Sequence, residues 1–147
     1  MMAFRFKFET LMNVRKIREN IAQQAFSEAQ RNHQALLSMK EQIEERRDDI
    51  RNDLMNRMKR GLGATEVKIY YDYLSHIKRA LVRLDENIRT SEKQVDQKRE
   101  KLLEAKREHK AMERLREIHQ ARYDADERKK EMNFIDEIAI SRHGGLR

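Results

Sequence analysis

Proline and cysteine are both missing from this chain, and each absence removes a group of protein classes. Without cysteine there is no disulfide framework, no thiolate metal site and no cysteine nucleophile, which suits a cytoplasmic protein. Without proline, no residue forces a helix to break. Glycine is scarce, and Gly61 and Gly63 form the only credible break before residue 140. The composition therefore favours very long helices.

Long apolar runs are absent as well. No stretch approaches the roughly 20 consecutive apolar residues of a membrane span. Near the N-terminus, Phe4, Phe6 and Phe8 are separated by Arg5 and Lys7, unlike the continuous apolar segment of a signal peptide. We expect a soluble, unprocessed chain.

The charge content is high, but it does not indicate disorder. Charged residues make up 40% of the 147 residues, and hydrophobic residues still make up 38%. A length of this order predicts one domain, covering residues 1–147. The net charge is +7, but most of the charged residues alternate in sign along the chain. Such alternation is typical of a solvated helix face rather than of a nucleic-acid site.

Heptad repeats run through residues 67–123. Steps of seven from Val67 reach Leu74, Leu81 and Ile88, and steps of seven from Tyr70 reach Ile77 and Leu84. Alternating steps of three and four between apolar residues are typical of a coiled-coil seam, which needs a partner helix. The seam thins at Ser91 and Lys98, and after Lys106 we expect it to shift to Ala111, Leu115 and Ile118.

The turn at residues 61–65 predicts an all-α fold, a long antiparallel two-helix coiled-coil hairpin with an overhanging C-terminal helix. We place helix 1 at about 9–60, helix 2 at about 66–139 and a tail at 140–147, with Thr65 as the N-cap of helix 2. In this register Ile50 faces Ile77, Ile43 faces Leu84, and Val14 faces Met112. The expected seam residues of helix 1 are Leu11, Val14, Ile21, Ala25, Ala29, Leu36, Met39, Ile43, Ile50, Leu54 and Met58.

Two regions carry more apolar side chains than such a hairpin uses. The first, the terminal patch, combines N-terminal phenylalanines with the helix overhanging from Tyr123 to about Ala139. Its residues are Phe4, Phe6, Phe8, Met132, Phe134, Ile135 and Ile138. The second lies near the turn, where Ile69, Tyr71 and Tyr73 fall outside the seam; they either form an interface or wrap the loop. Residues 57–84 contain seven basic and two acidic side chains there, which favours an acidic protein or an anionic membrane surface.

No pattern indicates catalysis. The five histidines lack a paired helical spacing for metal, no glycine-rich phosphate loop is present, and no pair of carboxylates stands out. We expect no enzyme activity, no cofactor and no metal, and we expect His109 to be a seam residue.

Three segments together resemble the flagellar FliJ family. They are residues 4–11 (Phe-Arg-Phe-Lys-Phe-Glu-Thr-Leu), the turn at residues 61–74, and residues 131–139, which end in Asp136-Glu137-Ile138-Ala139. The missing proline and the longer second helix agree, so the resemblance covers nearly the whole chain.

The resemblance implies a component of the flagellar type III export apparatus, at the cytoplasmic face of the inner membrane. Family members resemble the central stalk of rotary ATPases: the end with both termini enters the export ATPase hexamer. The part near the loop contacts the cytoplasmic domain of the export gate protein, and family members also bind export chaperones. The family's gate-binding surface, extended by Tyr71, is here called the tip face. Its residues are Met39, Ile43, Arg46, Ile50, Tyr71, Tyr73, Ile77, Ala80 and Leu84.

Three other interpretations remain open from the sequence. One is a stalk protein of a virulence injectisome with the same architecture. Another is a basic coiled coil that binds nucleic acid, with an affinity that would fall steeply as the salt concentration rises. The third is a structural scaffold or oligomeric coiled coil.

Overall fold

The structure, a computed structural model, describes residues 3–144 and contains two α-helices in that range. Helix α1 spans Glu9–Arg60 and helix α2 spans Ala64–Gly144. No strand occurs among the described residues. The expected all-α hairpin of two long helices is confirmed.

The connection between the helices depends on one glycine conformation. Gly61 has φ of +89°, in the left-handed region that side chains disfavour, and its N–H donates to the Met58 carbonyl at 3.2 Å. The carbonyl of Gly63 accepts the N–H of Val67 at 3.0 Å. Gly63 rather than Thr65 therefore stands at the N-cap, and Thr65 lies within α2.

The second helix is longer than expected at both ends. It begins at Ala64 instead of about Glu66 and continues to Gly144 instead of ending near Ala139. Residues 140–144, expected in a tail, are helical; residues 145–147 lie outside the described part. Helix propensity explains the extension at the C-terminal end, because none of Ile140, Ser141 and Arg142 is a helix-breaking residue.

The chain divides into two compact units, and both helices contribute to each. Unit 1 comprises Met1–Ile21 and Leu103–Arg147, and unit 2 comprises Ala22–Leu102. Whether they form one domain, as the length predicts, stays a prediction.

In unit 2 the two helices pack antiparallel along an apolar seam. Three pairs far apart in sequence show the direction: Asp53 with Tyr70, Lys40 with Asp85, and His33 with Ser91. The buried apolar side chains are Leu54, Ile77, Leu81, Leu84, Val95 and Leu102. All five from α2 belong to the heptad series found in the sequence, and that series includes Ser91, which is only 2% exposed. Met39 and Met58, expected in the seam, are exposed.

In unit 1 the seam uses different residues from those expected. Leu11, Val14 and Ile21 are exposed, Ile21 by 61%. The half-buried positions of α1 are Met12, Arg15 and Glu19 instead. These positions face α2 because of charged contacts as well as apolar packing: Arg15 pairs with Glu108, and Glu19 lies beside His109. The expected facing of Val14 and Met112 is therefore wrong, because Val14 lies outside the seam.

Helix α2 also keeps its original heptad series in unit 1. Ala105 is buried, and His109, Met112 and His119 are at least half-buried. Of the three residues to which we expected the seam to shift, Leu115 is half-buried, while Ala111 and Ile118 are exposed. The apolar stripe of Ala111, Leu115 and Ile118 predicted that α2 would turn a different face to α1, but the helices do not pack through that face.

Candidate functional site

The phenylalanine part of the terminal patch folds onto α2. Phe6 is buried and meets His119 and Phe8 edge to face, with ring centroids 5.5 Å and 5.9 Å away. The Phe4 ring lies tilted against that of Tyr123, with ring centroids 5.5 Å apart. These rings hold the N-terminal segment against α2, so Phe6 offers little surface to a partner.

The overhang part of the terminal patch has no such cover. Every residue from 128 to 144 is exposed. Met132, Phe134 and Ile135 are each more than 60% exposed, and Ile138 is exposed as well. Sequence reasoning missed Ile140, the most exposed large apolar residue of the described chain at 71%, because residues 140–147 were assigned to a tail.

The structure therefore separates the terminal patch into two parts. The phenylalanines lie beside His119 and Tyr123, and Met132 follows Tyr123 by about 14 Å of helix. Only the overhang presents a continuous exposed apolar surface, since an isolated helix cannot bury its own stripe.

The tip face likewise contains both buried and exposed residues. Ile77 and Leu84 are buried in the seam of unit 2. Ile43, Ile50 and Ala80 are half-buried. The exposed members are Met39, Arg46, Tyr71 and Tyr73. A partner approaching this face meets those four side chains, and the isoleucines behind them support the surface.

Arg46 and Tyr73 form a fixed pair within the tip face. The Nε of Arg46 donates a hydrogen bond to the Tyr73 hydroxyl at 3.0 Å, and its guanidinium lies 5.9 Å from the ring centroid. The hydrogen bond to Tyr73 raises the pKa of Arg46 above its ordinary value. Arg46 is exposed, and it holds the Tyr73 ring in place.

A second aromatic cluster near the turn was not predicted. Tyr70 donates a hydrogen bond to Asp53 at 2.8 Å, and the guanidinium of Arg57 lies 5.9 Å from the Tyr70 ring. Arg57 also pairs with Asp53 at 3.4 Å. The hydrogen bond to Asp53 raises the pKa of Tyr70 above its ordinary value. No sequence spacing indicates this triad, because its members come from different helices.

The basic excess near the turn includes a group of unpaired cations. Lys78, Arg79 and Arg83 surround Val82, which is exposed, on the surface of α2. None of the three cations makes an ion pair in the described part of the chain. This surface is positively charged and partly apolar.

His109 occupies a structural position. His109 lies in the seam of unit 1 with Nδ1 2.7 Å from Glu19 and Nε2 3.3 Å from Glu113. The contact with Glu19 is an ion pair only when the imidazole is protonated. Across residues 3–144 no group of three histidine or carboxylate side chains is placed to hold a metal ion. No described helix is long and apolar enough to cross a membrane.

Fold and surfaces together define an antiparallel helical hairpin whose exposed apolar side chains suit protein binding. Within that class the chain belongs to the family described as Flagellar FliJ protein, which it matches over residues 4–145. It is also similar to the Flagellar FliJ protein of Bacillus subtilis (strain 168), with 24% identity over 142 residues and 95% of each chain covered. No solved structure matches significantly. The resemblance found in the sequence is confirmed, and the protein is related to flagellar export.

Proposed function

We propose that this protein is a non-enzymatic linker of the flagellar type III export apparatus. In this role the overhang of α2 binds the export ATPase hexamer as a central stalk, and the tip face binds the cytoplasmic domain of the export gate protein. Family membership supports the setting, and the distribution of exposed apolar residues supports the linker role. The fully exposed overhang from 128 to 144 is the observation that carries the proposal.

The overhang is suited to insertion between other subunits. Its apolar residues recur at three-residue steps, from Met132 to Ile135 and then to Ile138. A partner groove can bury such a stripe, since amphipathic helices bind through anchors at these spacings. An ATPase ring with an apolar central channel provides that environment.

The tip face supports the second contact. Tyr73 is held by Arg46, and Met39 is exposed on α1. Tyrosine, methionine and arginine are enriched in protein interfaces, because they combine large contact area with adaptable packing or hydrogen bonding. A pre-positioned tyrosine loses little entropy on binding.

Escort of export chaperones and peripheral association with the inner membrane complete the proposal. They follow from the family alone and extend the linker role to substrate delivery. The positive surface around Val82 is compatible with a location near anionic lipid.

The first experiment tests the overhang directly. We expect the double substitution Ile135→Asp and Ile138→Asp to abolish capture of the purified export ATPase, because it places two charges on the apolar stripe. The helical circular dichroism signal should remain, since both residues are exposed and unsupported.

A matched control places the same charge on another part of the overhang. Lys129 is exposed and has no ion pair in the described part of the chain. Lys129→Asp should leave capture of the ATPase intact. Retained capture by the Ile135/Ile138 variant would assign ATPase binding to another surface and remove the stalk role.

A nucleic-acid-binding coiled coil is the contrasting function. It would use the cations near the turn, and its binding would fall steeply as salt rises. We propose no nucleic-acid partner, because the exposed apolar residues of the overhang have no role in that function.

A further inference from the structure

A groove runs between the two helices of unit 2, and the linker role leaves most of it unused. Its volume is about 520 Å³, which lies in the range of about 300–1,000 Å³ that ligand pockets occupy. The residues of α2 that line it fall between Tyr71 and Asp85. Helix α1 lines it with charged residues spaced four, three and four positions apart, namely Lys40, Glu44, Arg47 and Arg51.

The groove and most of the tip face lie on opposite flanks of the seam. The seam of α1 passes through half-buried residues in heptad order, namely Lys40, Ile43, Arg47 and Ile50. Arg51 of the groove lies one turn after Arg47. Arg46 of the tip face lies one turn before Ile50, and these two positions flank a heptad seam on opposite sides. Tyr71 is the tip-face residue that also lines the groove.

The bottom of the groove is apolar. Leu81 is buried, and Leu74, two turns before it on the same helix face, is half-buried. Tyr71 and Val82 lie at the edge, with 55% and 54% of their surfaces exposed. Such a surface is suited to contact an apolar side chain of another protein, because an exposed aromatic ring offers a large contact area.

Charge is distributed unevenly along the groove. At the end away from the turn, Nζ of Lys40 lies 2.8 Å from Asp85 and 3.8 Å from Glu44. One ammonium group therefore serves two carboxylates, and this end is not positive.

The end near the turn is positive. Seven residues closer to the turn than the Lys40 ion pair on each antiparallel helix, Arg47 and Lys78 lie at the same level. Lys78 and Arg51 are exposed, and neither has an ion pair in the described part of the chain. Arg47 pairs with the adjacent Asp48 at 3.3 Å. Three cations thus line this end, against one carboxylate that lies outside the lining.

We propose that the turn end of this groove binds an acidic segment of a partner protein. The carboxylates of the segment pair with Arg47, Arg51 and Lys78, because complementary charge gives an interface its specificity. An apolar residue of the segment packs on Leu74 and Leu81 between the helices. The inference goes beyond the linker role and does not rest on it.

The uneven charge selects a protein segment over a uniform polyanion. A nucleic acid or an anionic bilayer is negative along its whole length and would meet Glu44 and Asp85 at the other end of the groove. A segment with its acidic residues at one end avoids that repulsion. A symmetric dimer through the groove would bring the unpaired cations of both copies together, so a second copy is disfavoured.

The test uses the full chain and two labelled synthetic peptides. One peptide has leucine and phenylalanine after a run of aspartates, and in the other peptide lysines replace the aspartates. Fluorescence anisotropy should show binding of the aspartate peptide and about tenfold weaker binding of the lysine peptide.

Substitutions then locate the site. The groove variant, Arg51→Glu combined with Lys78→Glu, should weaken binding of the aspartate peptide about tenfold or more and strengthen binding of the lysine peptide. The matched control is Arg79→Glu combined with Arg83→Glu, which makes the same change of charge at exposed cations outside the groove. It should change either affinity by no more than about twofold, because solvent and salt screen exposed charges at a distance.

The tip-face variant Met39→Asp with Tyr73→Asp separates this inference from the linker role. It should leave the affinity for the aspartate peptide unchanged, since both residues lie outside the groove. A failure of gate binding and a failure of peptide binding are therefore distinguishable.

Several outcomes would overturn the inference. They include no binding of the aspartate peptide, equal binding of both peptides, or equal weakening by the groove variant and its matched control with the helical signal intact. A dimer in sedimentation that the groove variant dissociates would assign the groove to a second copy. Displacement of the labelled peptide by an oligonucleotide or by phosphatidylglycerol vesicles more readily than by unlabelled peptide would assign it to a polyanion.

Discussion

At the scale of single residues, this hairpin depends on polar side chains placed in its seam. Ser91 is buried, and its hydroxyl donates to the Ile88 carbonyl at 2.7 Å. The Nδ1 of His33 lies 2.7 Å from the same oxygen, so it acts as the donor when the serine proton is used by Ile88. One hydroxyl thus satisfies two groups, which explains why serine is tolerated where the heptads favour leucine.

The His33–Ser91 pair gives the first prediction at this scale. Ser91→Ala should lower the free energy of unfolding by about 1 kcal/mol, because it leaves the His33 N–H without its acceptor. Combining Ser91→Ala with His33→Leu should restore that stability or exceed it, because both polar partners are then gone. Chemical denaturation of the three proteins measures this. A double variant less stable than the single one would show that the pair is not the unit of stability.

Alkaline pH gives the second residue-scale prediction. The hydrogen bond to Asp85 raises the pKa of Lys40, and the hydrogen bond to Asp53 raises the pKa of Tyr70. Each group holds its proton more tightly in the folded state, so its stabilisation is complete below the unfolded pKa and is lost as the pH rises through the folded one. We expect the melting temperature to fall as the pH rises above about 10.

Two substitutions check that these groups cause the alkaline loss. Lys40→Met and Tyr70→Phe together should flatten the dependence of melting temperature on pH in the alkaline range. Lys93→Met is the matched control, because Lys93 is exposed and has no ion pair among the described residues. If the control flattens the curve equally, general charge rather than these two hydrogen bonds controls it.

At the scale of elements, the turn and the overhang follow from simple rules, but the face that α1 presents does not. Gly61 and Gly63 interrupt a chain without proline, so the position of the reversal was clear from the sequence. Two faces of α1 compete for the seam: an apolar one through Leu11, Val14 and Ile21, and a mixed one through Met12, Arg15 and Glu19. The structure uses the second, because Glu108 and His109 of α2 pair with it.

The two turn glycines provide an element-scale prediction. Gly61→Ala should destabilise the hairpin by about 1–2 kcal/mol, because φ of +89° is disfavoured for any residue with a Cβ. Gly63→Ala should cost no more than about 0.5 kcal/mol, since only its N-cap preference changes. Neither added Cβ would meet an atom within 4 Å, so thermal denaturation of the two variants isolates the backbone effect. Equal losses would contradict it.

At the scale of the whole molecule, the proposed linker requires two contacts that can be lost separately. The overhang belongs to unit 1 and the tip face to unit 2. Neither surface shares a residue with the other. A linker with independent ends predicts variants that lose one partner and keep the other, whereas a single composite surface predicts joint loss.

The tip face supplies the variant for this final prediction. Met39→Asp combined with Tyr73→Asp should weaken binding of the gate protein's cytoplasmic domain by about tenfold or more, since it charges two exposed interface residues. Capture of the export ATPase should stay unchanged. Met55→Asp, at an exposed methionine of α1 in the same unit, is the control for added charge. Simultaneous loss of both partners in the tip-face variant would refute independent ends.

The sequence alone determined the fold class, the place of the turn and the residues that α2 buries in unit 2, because heptad spacing and missing proline act locally. It also showed where apolar residues exceed the needs of one seam, but it could not divide them between seam and surface. Only the tertiary structure decided that Phe6 is buried while Ile135 is exposed, and that Leu11, Val14 and Ile21 lie outside the seam. The physical reason is that tertiary contacts, such as Arg15 with Glu108 and Phe6 with His119, join residues about a hundred positions apart.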